Sequence, residues 1–291
     1  MERIEIPPKR LEHTRFSLPE LGLGTWQMGG RREVDTTNDA ADIAGIKAAI
    51  EAGVRHIDTA EMYGAGHAEE LVCEAIKGFK RSDLFITSKV HPDNHKYEKV
   101  MKACEQSLKR LGTKYLDLYL LHWYETTTSL EEAMKALNDL VDKKLVRHIG
   151  VSNFTKERLK EAQAHSKHKI VCNQVYYNLQ AREPESTGLL KYCQKNDVLL
   201  VAYRPLEKGS LLDEIPPVMR ELCLKYEKTA AQIAINWLTS QHNVVALFKT
   251  SNVAHLKENL GAIGWRLSEE DVERLRKEYP RQGVPEKNRL G

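Results

Sequence analysis

No stretch of the 291-residue chain approaches the roughly 18 consecutive apolar residues that a membrane-spanning helix needs. Low-complexity tracts and Pro/Gly-rich linkers are also missing, so neither a disordered chain nor a string of tethered domains is expected. The five cysteines, Cys73, Cys104, Cys172, Cys193 and Cys223, are odd in number and include no C-x-x-C pair. A disulfide framework and a cysteine-based zinc site are therefore disfavoured, and free thiols in a reducing compartment are expected. Charge of one sign is lacking too: 44 Lys and Arg against 41 Asp and Glu give +3, without the basic surplus that a nucleic-acid partner demands. Met1 to Arg10 is mixed and charged, with no apolar core of a signal peptide. These absences lead to the expectation of a cytoplasmic protein with neither membrane nor nucleic acid as partner.

What the chain does contain is an order. Short runs rich in Val, Ile and Leu alternate with longer helical patterns. Strands are expected at Leu21–Trp26, Val54–Asp58, Leu84–Val90, Tyr115–His122, Val146–Val151, Ile170–Tyr176, Val198–Tyr203 and Val244–Phe248. Helices are expected near 41–52, 66–77, 97–111, 129–143, 155–165, 188–196, 217–227, 229–240 and 254–261, with a last one starting near Ser268. The strands alternate little, as when both faces of a parallel sheet are buried. Length alone allows two domains or one large barrel. Eight βα units predict an α/β fold, a (β/α)8 TIM barrel of one domain over residues 1–291. Residues 1–20 would form an N-terminal β-hairpin cap, and 262–291 a C-terminal helix and tail. A doubly wound dinucleotide fold would want G-x-G-x-x-G after its first strand. Here Gly22 and Gly24 are followed by Gly29, with Gln27 where the third glycine belongs.

In such a barrel the reactive groups gather where strands end at the C-terminal face. Asp58, Lys89 and His122 occupy expected strand ends, and Tyr63 follows Asp58 in the next loop. Singly, each has an ordinary structural role. Together they form an acid-catalysis kit. A phenol of pKa about 10 is a poor acid at neutral pH. An adjacent ammonium is expected to lower that value, a carboxylate holds the ammonium in place, and an imidazole donates to a carbonyl oxygen. This is proton delivery to a carbonyl oxygen while its carbon receives a hydride. A metal-dependent barrel hydrolase would want an H-x-H pair on the first strand. That strand has none, no metal is expected, and His91, His95, His165 and His168 read as solvated.

The chain resembles the aldo-keto reductases over almost its whole length. The resemblance is carried by Leu21-Gly-Leu-Gly-Thr-Trp26, by Arg55-His-Ile-Asp-Thr-Ala-Glu-Met-Tyr-Gly64 continuing to Glu69-Glu-Leu-Val72, and by Thr87-Ser-Lys89. It continues through Leu116–Trp123, Ile149-Gly-Val-Ser-Asn-Phe154, Asn173–Asn178 and Ala202-Tyr-Arg-Pro-Leu206. It implies an NAD(P)H-dependent reductase of small aldehydes or ketones, with NADPH as cofactor and NADH possible. It further implies Tyr63 as general acid, tuned by Lys89 and Asp58, with His122 orienting the carbonyl. Gly24, Thr25, Trp26 and Asp58 fall at cofactor positions. Ser152, Asn153 and Gln174 match those that hold the nicotinamide carboxamide, and Tyr203 matches the residue that stacks on its ring. Arg204, Pro205, Leu206 and Lys208 fall in the pyrophosphate loop. Lys249, Thr250, Ser251, His255, Glu258 and Asn259 match the site of the 2′-phosphate and adenine, beside a helix N-terminus. Trp26, Tyr63, His122 and Trp123 would line the substrate pocket, joined by Tyr124. Two departures stand out. His255 stands where relatives carry Arg, which implies a weaker NADPH-over-NADH preference, dependent on pH. Arg204 replaces a small residue, and either reaches the cofactor phosphates or lies on the surface. A short polar tail implies an open pocket and broad specificity.

Overall fold

The computed structural model describes residues 3–125, 128–285 and 289–290. The outermost ends of the expected cap and tail, residues 1–2 and 291, and residues 286–288 of the tail, lie outside these. The chain opens with an antiparallel hairpin, β1 (Pro8–Arg10) and β2 (Ser17–Pro19). Eight parallel strands follow: β3 (Leu21–Gly24), β4 (His56–Asp58), β5 (Phe85–Val90), β6 (Leu116–Leu121), β7 (Val146–Ser152), β8 (Ile170–Tyr176), β9 (Leu199–Tyr203) and β10 (Val244–Phe248). They are hydrogen-bonded in sequence order and close through β10 pairing with β3. Between them run α1 (Asp39–Glu51), α2 (His67–Ile76), α3 (Tyr97–Arg110), α4 (Leu130–Asp142), α5 (Lys156–Ala164), α6 (Glu183–Ser186), α7 (Leu189–Lys195), α8 (Pro217–Tyr226) and α9 (Ala230–Thr239). After β10 come α10 (Val253–Leu260) and α11 (Glu269–Glu278). None of these helices is long and apolar enough to cross a membrane.

The expected helices run one residue too long at their N-terminal ends wherever a polar cap was counted as helix. Ser129, Thr155, Thr229 and Ser268 each accept from a main-chain N–H in the first turn, and Thr229 with Gln232 completes a capping box. Helix α6, four residues opened by Glu183 and Pro184, has no apolar period and was not expected.

Strand parity positions the site. Residues two apart on a strand share a face. Leu118 and Leu120 of β6, Leu199 and Val201 of β9, and Val245 and Leu247 of β10 belong to one cluster inside the barrel. Leu11, Phe16 and Leu18 of the hairpin join that cluster, so the hairpin plugs the barrel floor. Beside this cluster, His56 of β4 meets Thr87 of β5 through Nε2 and Oγ1 at 3.0 Å. Gly22 of β3 makes room for it: a Cβ there would come within 2.5 Å of His56 Nδ1. Two residues further along the same faces lie Asp58 and Lys89, which carry the parity from packing into chemistry.

All five cysteines are free thiols, three of them buried. Burial pushes Cys104 up to about 12, so it is an inert core thiol.

Candidate active site

The structure brings Asp58, Tyr63, Lys89 and His122 together at the C-terminal rim. Lys89 is fully buried and donates to Asp58 Oδ1 at 2.5 Å, to the Thr59 carbonyl at 2.9 Å and to the Tyr63 hydroxyl at 3.2 Å. All three ammonium protons are thereby engaged, which fixes the head group. The other Asp58 oxygen accepts from Gln174 Nε2 at 2.8 Å. Tyr63 is held over Lys89 by a turn over 63–66 in which Gly64 and Ala65 are left-handed, with φ of 54° and 52°. Only glycine fits at 64, because a Cβ there would stand 2.2 Å from the Gly29 carbonyl oxygen.

His122 follows β6, and its main-chain N–H donates to the Val90 carbonyl at 3.1 Å. Its ring stands 5.6 Å from that of Tyr63 and 4.9 Å from that of Trp123, and Trp26 lies 4.9 Å from Tyr63. These four form one aromatic wall beside the hydroxyl. Tyr124 does not join it. Its hydroxyl donates to the Thr128 carbonyl and its ring packs against Phe154 and under the Arg158 guanidinium, towards α5. His91 joins instead, edge-on to Trp123 at 4.7 Å. Its place two residues beyond Lys89 on the same strand parity was the signal for it.

Electrostatics sharpen the roles. Burial raises the Tyr63 phenol above its ordinary value, and the Lys89 charge opposes this without overcoming it. Desolvation therefore wins over the ammonium, contrary to the expectation from proximity alone. Burial also works against the Lys89 charge, but Asp58 and Tyr63 more than offset it and leave the ammonium above its usual value. Burial drives His122 well below 6.5, with Lys89, His91 and His95 pushing the same way. At neutral pH the site thus presents a protonated phenol, a charged ammonium and a neutral imidazole. His95 is not solvated as expected. It is 1% exposed, and burial holds it down at about 4.

The expected cofactor residues form an arc across β7 to β10. Ser152 Oγ donates to the Gln174 carbonyl at 2.9 Å, and Asn153 Nδ2 donates to Ser152 Oγ and to the His122 carbonyl at 3.0 and 3.1 Å. Tyr203 ends β9 and donates to Asn153 Oδ1 at 2.9 Å. Gly24 pairs with Asp58 across β3 and β4, and Thr25 donates twice to the Asp58 carbonyl, at 2.9 Å from N and 3.2 Å from Oγ1. After β9 the chain turns sharply through Pro205 and Leu206, with Arg204, Glu207, Lys208 and Gly209 all at positive φ. Arg204 is half-buried, 3.8 Å from Glu207 and 5.8 Å from the Tyr176 ring, so it is not a loose surface residue. Glu207 also accepts from the Tyr176 hydroxyl and from Asn178 Nδ2.

Beyond β10, Lys249 and His255 are exposed, Ser251 and Glu258 half-buried, and Thr250 and Asn259 buried. The helix N-terminus here is already engaged. Asn252 Oδ1 accepts from the N–H groups of Ala254 and His255, and the Thr250 hydroxyl bonds to the main chain of Asn252. Sequence reasoning missed Asn252, although Asn before an apolar period is an ordinary cap signal. Two amides, a hydroxyl, an aromatic ring and an exposed ammonium on successive strands fit a nicotinamide dinucleotide: carboxamide at one end, phosphate at the other.

The family model described as the Aldo/keto reductase family matches residues 20–279. The chain is 38% identical to the methylglyoxal reductase YeaE of Escherichia coli K12, over 91% of this chain and 92% of that one. It is 36% identical to a glyoxal reductase of Bacillus subtilis 168, over 90% of each. Among solved structures, the thermostable aldo-keto reductase Tm1743 in complex with the inhibitor epalrestat superposes with a TM-score of 0.88 at 44% identity, covering 93% of this chain and 98% of that one. An aldo/keto reductase from Klebsiella pneumoniae in complex with NADP and acetate gives 0.83 at 34% identity, covering 99% of each. Barrel, rim residues and relatives converge: the chain belongs to the aldo/keto reductase family.

Proposed function

We propose that the protein, acting through one barrel domain, reduces small aldehydes and α-dicarbonyls to alcohols with NADPH, Tyr63 serving as general acid. The observation that carries this is the contact of the Lys89 ammonium with both the Tyr63 hydroxyl and Asp58, beside a neutral His122. Bound NADPH supplies the hydride to the carbonyl carbon. Ser152, Asn153, Gln174 and Tyr203 would hold its nicotinamide end, the turn over 204–208 its pyrophosphate, and Lys249, Thr250 and His255 its far phosphate. His122 donates from Nε2 to the substrate oxygen and orients it. The phenol, kept protonated by burial, gives that oxygen its proton, and Lys89 stabilises the phenolate left behind. A raised phenol pKa does not hinder this step, because the alkoxide forming on the substrate is a much stronger base than a phenolate.

The names of the relatives support a short carbonyl substrate, and the aromatic wall suits one that presents little besides its carbonyl. The unpaired thiols and the NADPH requirement support a cytoplasmic setting. The test is to mix the protein with NADPH and methylglyoxal, glyoxal and a panel of longer aldehydes, and to follow nicotinamide absorbance. Oxidation with the short dicarbonyls is expected. Failure to bind either nicotinamide would remove the reading.

Cofactor choice gives a second expectation. Lys249 meets a phosphate as a point charge, and the exposed His255 adds less than an Arg would. His255→Arg should raise the preference for NADPH over NADH by roughly tenfold, the scale of one charge-assisted hydrogen bond. Dissociation constants for both nicotinamides measure it. The same ratio in parent and variant excludes position 255 from the phosphate site.

A further inference from the structure

His67 is the first residue of α2, directly after the 63–66 turn that carries Tyr63. Its half-buried imidazole has a carboxylate at each nitrogen. Nδ1 stands 2.8 Å from Glu70 Oε2, and Nε2 stands 2.9 Å from Asp39 Oδ2. Glu70 lies on α2 itself, so the bond to Asp39 is the one that crosses from α2 to α1. The second Asp39 oxygen is buried without a partner among the described residues, which leaves that carboxylate dependent on His67. The ring also lies against the loop between β3 and α1: a Cβ at Gly29 would come within 2.8 Å of His67 Cδ2. That loop is stitched at several points. The Gly29 N–H donates to Asp42 Oδ2 at 3.2 Å, and the Gly29 carbonyl accepts from the Asp35 N–H at 3.0 Å. The Gly64 N–H, next to Tyr63, donates to the Arg31 carbonyl at 2.9 Å. Trp26 of the aromatic wall stands near the start of the same loop.

A neutral imidazole carries one N–H, and an ionised carboxylate only accepts. Carboxylates within hydrogen-bond distance of both ring nitrogens therefore call for a second proton. Asp39 lies in the first turn of α1 and Glu70 in the first turn of α2, where the helix dipole favours negative charge, so that proton belongs on the ring. Burial works against the charge on His67, but the bonds to Glu70 and Asp39 outweigh it and raise the imidazole above its ordinary value. The other charges lining this cavity are Glu74, Lys109 and Arg110, and Arg110 is committed to Glu69 at 2.6 Å. We propose that His67 is a doubly protonated clamp, the positioning residue that locks the Tyr63 turn onto the loop between β3 and α1 and so fixes the Tyr63 hydroxyl relative to Trp26. His67 acts through the turn, with both of its nitrogens occupied by carboxylates. The inference rests on the carbonyl reduction proposed above.

The experiment joins 15N spectroscopy of histidine-labelled protein at pH 7 to the kinetics of two variants, with the His67 signals assigned through His67→Phe. The parent is expected to carry a proton on both His67 nitrogens. His67→Phe keeps a flat ring against Gly29 but loses the charge and both bonds. It is expected to lower kcat for a short aldehyde roughly 10-fold, as a displaced catalytic group does, with little change in NADPH binding. His67→Arg keeps the charge and has N–H donors for both carboxylates, and is expected to retain most of the rate. A singly protonated His67 in the parent overturns the proposal. So does a His67→Phe protein with the parent's kcat, or a His67→Arg protein slowed to the extent expected of His67→Phe. Should His67→Phe fail to fold, the parent spectrum, assigned through His67→Arg, and the rate of His67→Arg still decide. A parent with a doubly protonated His67 that reduces no carbonyl counts against the proposed activity, not against the clamp.

Discussion

Tyr63→Phe is expected to lower kcat for carbonyl reduction by at least about 100-fold, and by up to roughly 10,000-fold, the range for loss of a positioned general acid. The change removes one oxygen. It leaves the ring that packs 4.9 Å from Trp26 and 5.6 Å from His122, so the wall and the fold should persist. NADPH binding should persist too, since none of the proposed cofactor contacts runs through the hydroxyl. The measurement is single-turnover reduction at saturating NADPH, alongside a binding titration. A variant as fast as the parent removes Tyr63 as the acid and leaves Lys89 and His122 as the N–H donors at the rim. The pH profile adds a second reading. Burial places the phenol above its ordinary value and His122 well below its own, so neither group changes its protonation between pH 7 and 8 in the free protein. The reduction rate of the parent should be flat across that window.

The strands were legible in the sequence because each is a block of Val, Ile and Leu bounded by polar residues. Ile170–Tyr176 and Val244–Phe248 match their expected bounds. Site residues were legible for a related reason: once Asp58, Lys89 and His122 fall at strand ends, barrel topology brings them to one rim. What resisted reading depends on packing that no local pattern encodes. His95 is a polar residue at the end of a turn and reads as solvated, yet only 1% of it is exposed. Tyr124 is next to Trp123 in sequence, but successive side chains diverge, and it faces α5. The Tyr63 phenol shows the same limit in electrostatic form. Adjacency to a lysine is visible in the sequence, whereas the desolvation that outweighs it is a property of the closed barrel.

Lys89→Met should destabilise the protein by about 3 kcal/mol or more at pH 7, beyond abolishing turnover. Lys89 is fully buried and Asp58 nearly so, and removing one partner of such a pair leaves the other charge buried and uncompensated. Gln174 Nε2 and the parallel ladder still hold Asp58 in place, so the carboxyl cannot swing to water and must take up a proton. Its folded pKa then lies above the unfolded value of about 3.9, and the native state binds the extra proton at neutral pH. Stability in the variant should therefore rise as pH falls from 7 towards 4, and the deficit against the parent should narrow. Adding Asp58→Asn removes the buried charge while preserving an oxygen for Gln174 to donate to. The double variant should recover most of the stability at pH 7, show little of that pH dependence, and remain inactive, because the ammonium that stabilises the Tyr63 phenolate is gone. Urea unfolding at pH 7 and 5, with turnover measured on the same samples, separates the two roles. If the double variant is no more stable than Lys89→Met, the loss comes from the cavity left by the lysine stem and not from the unpaired carboxylate. If it turns over at the parent's rate, Lys89 has only a structural role.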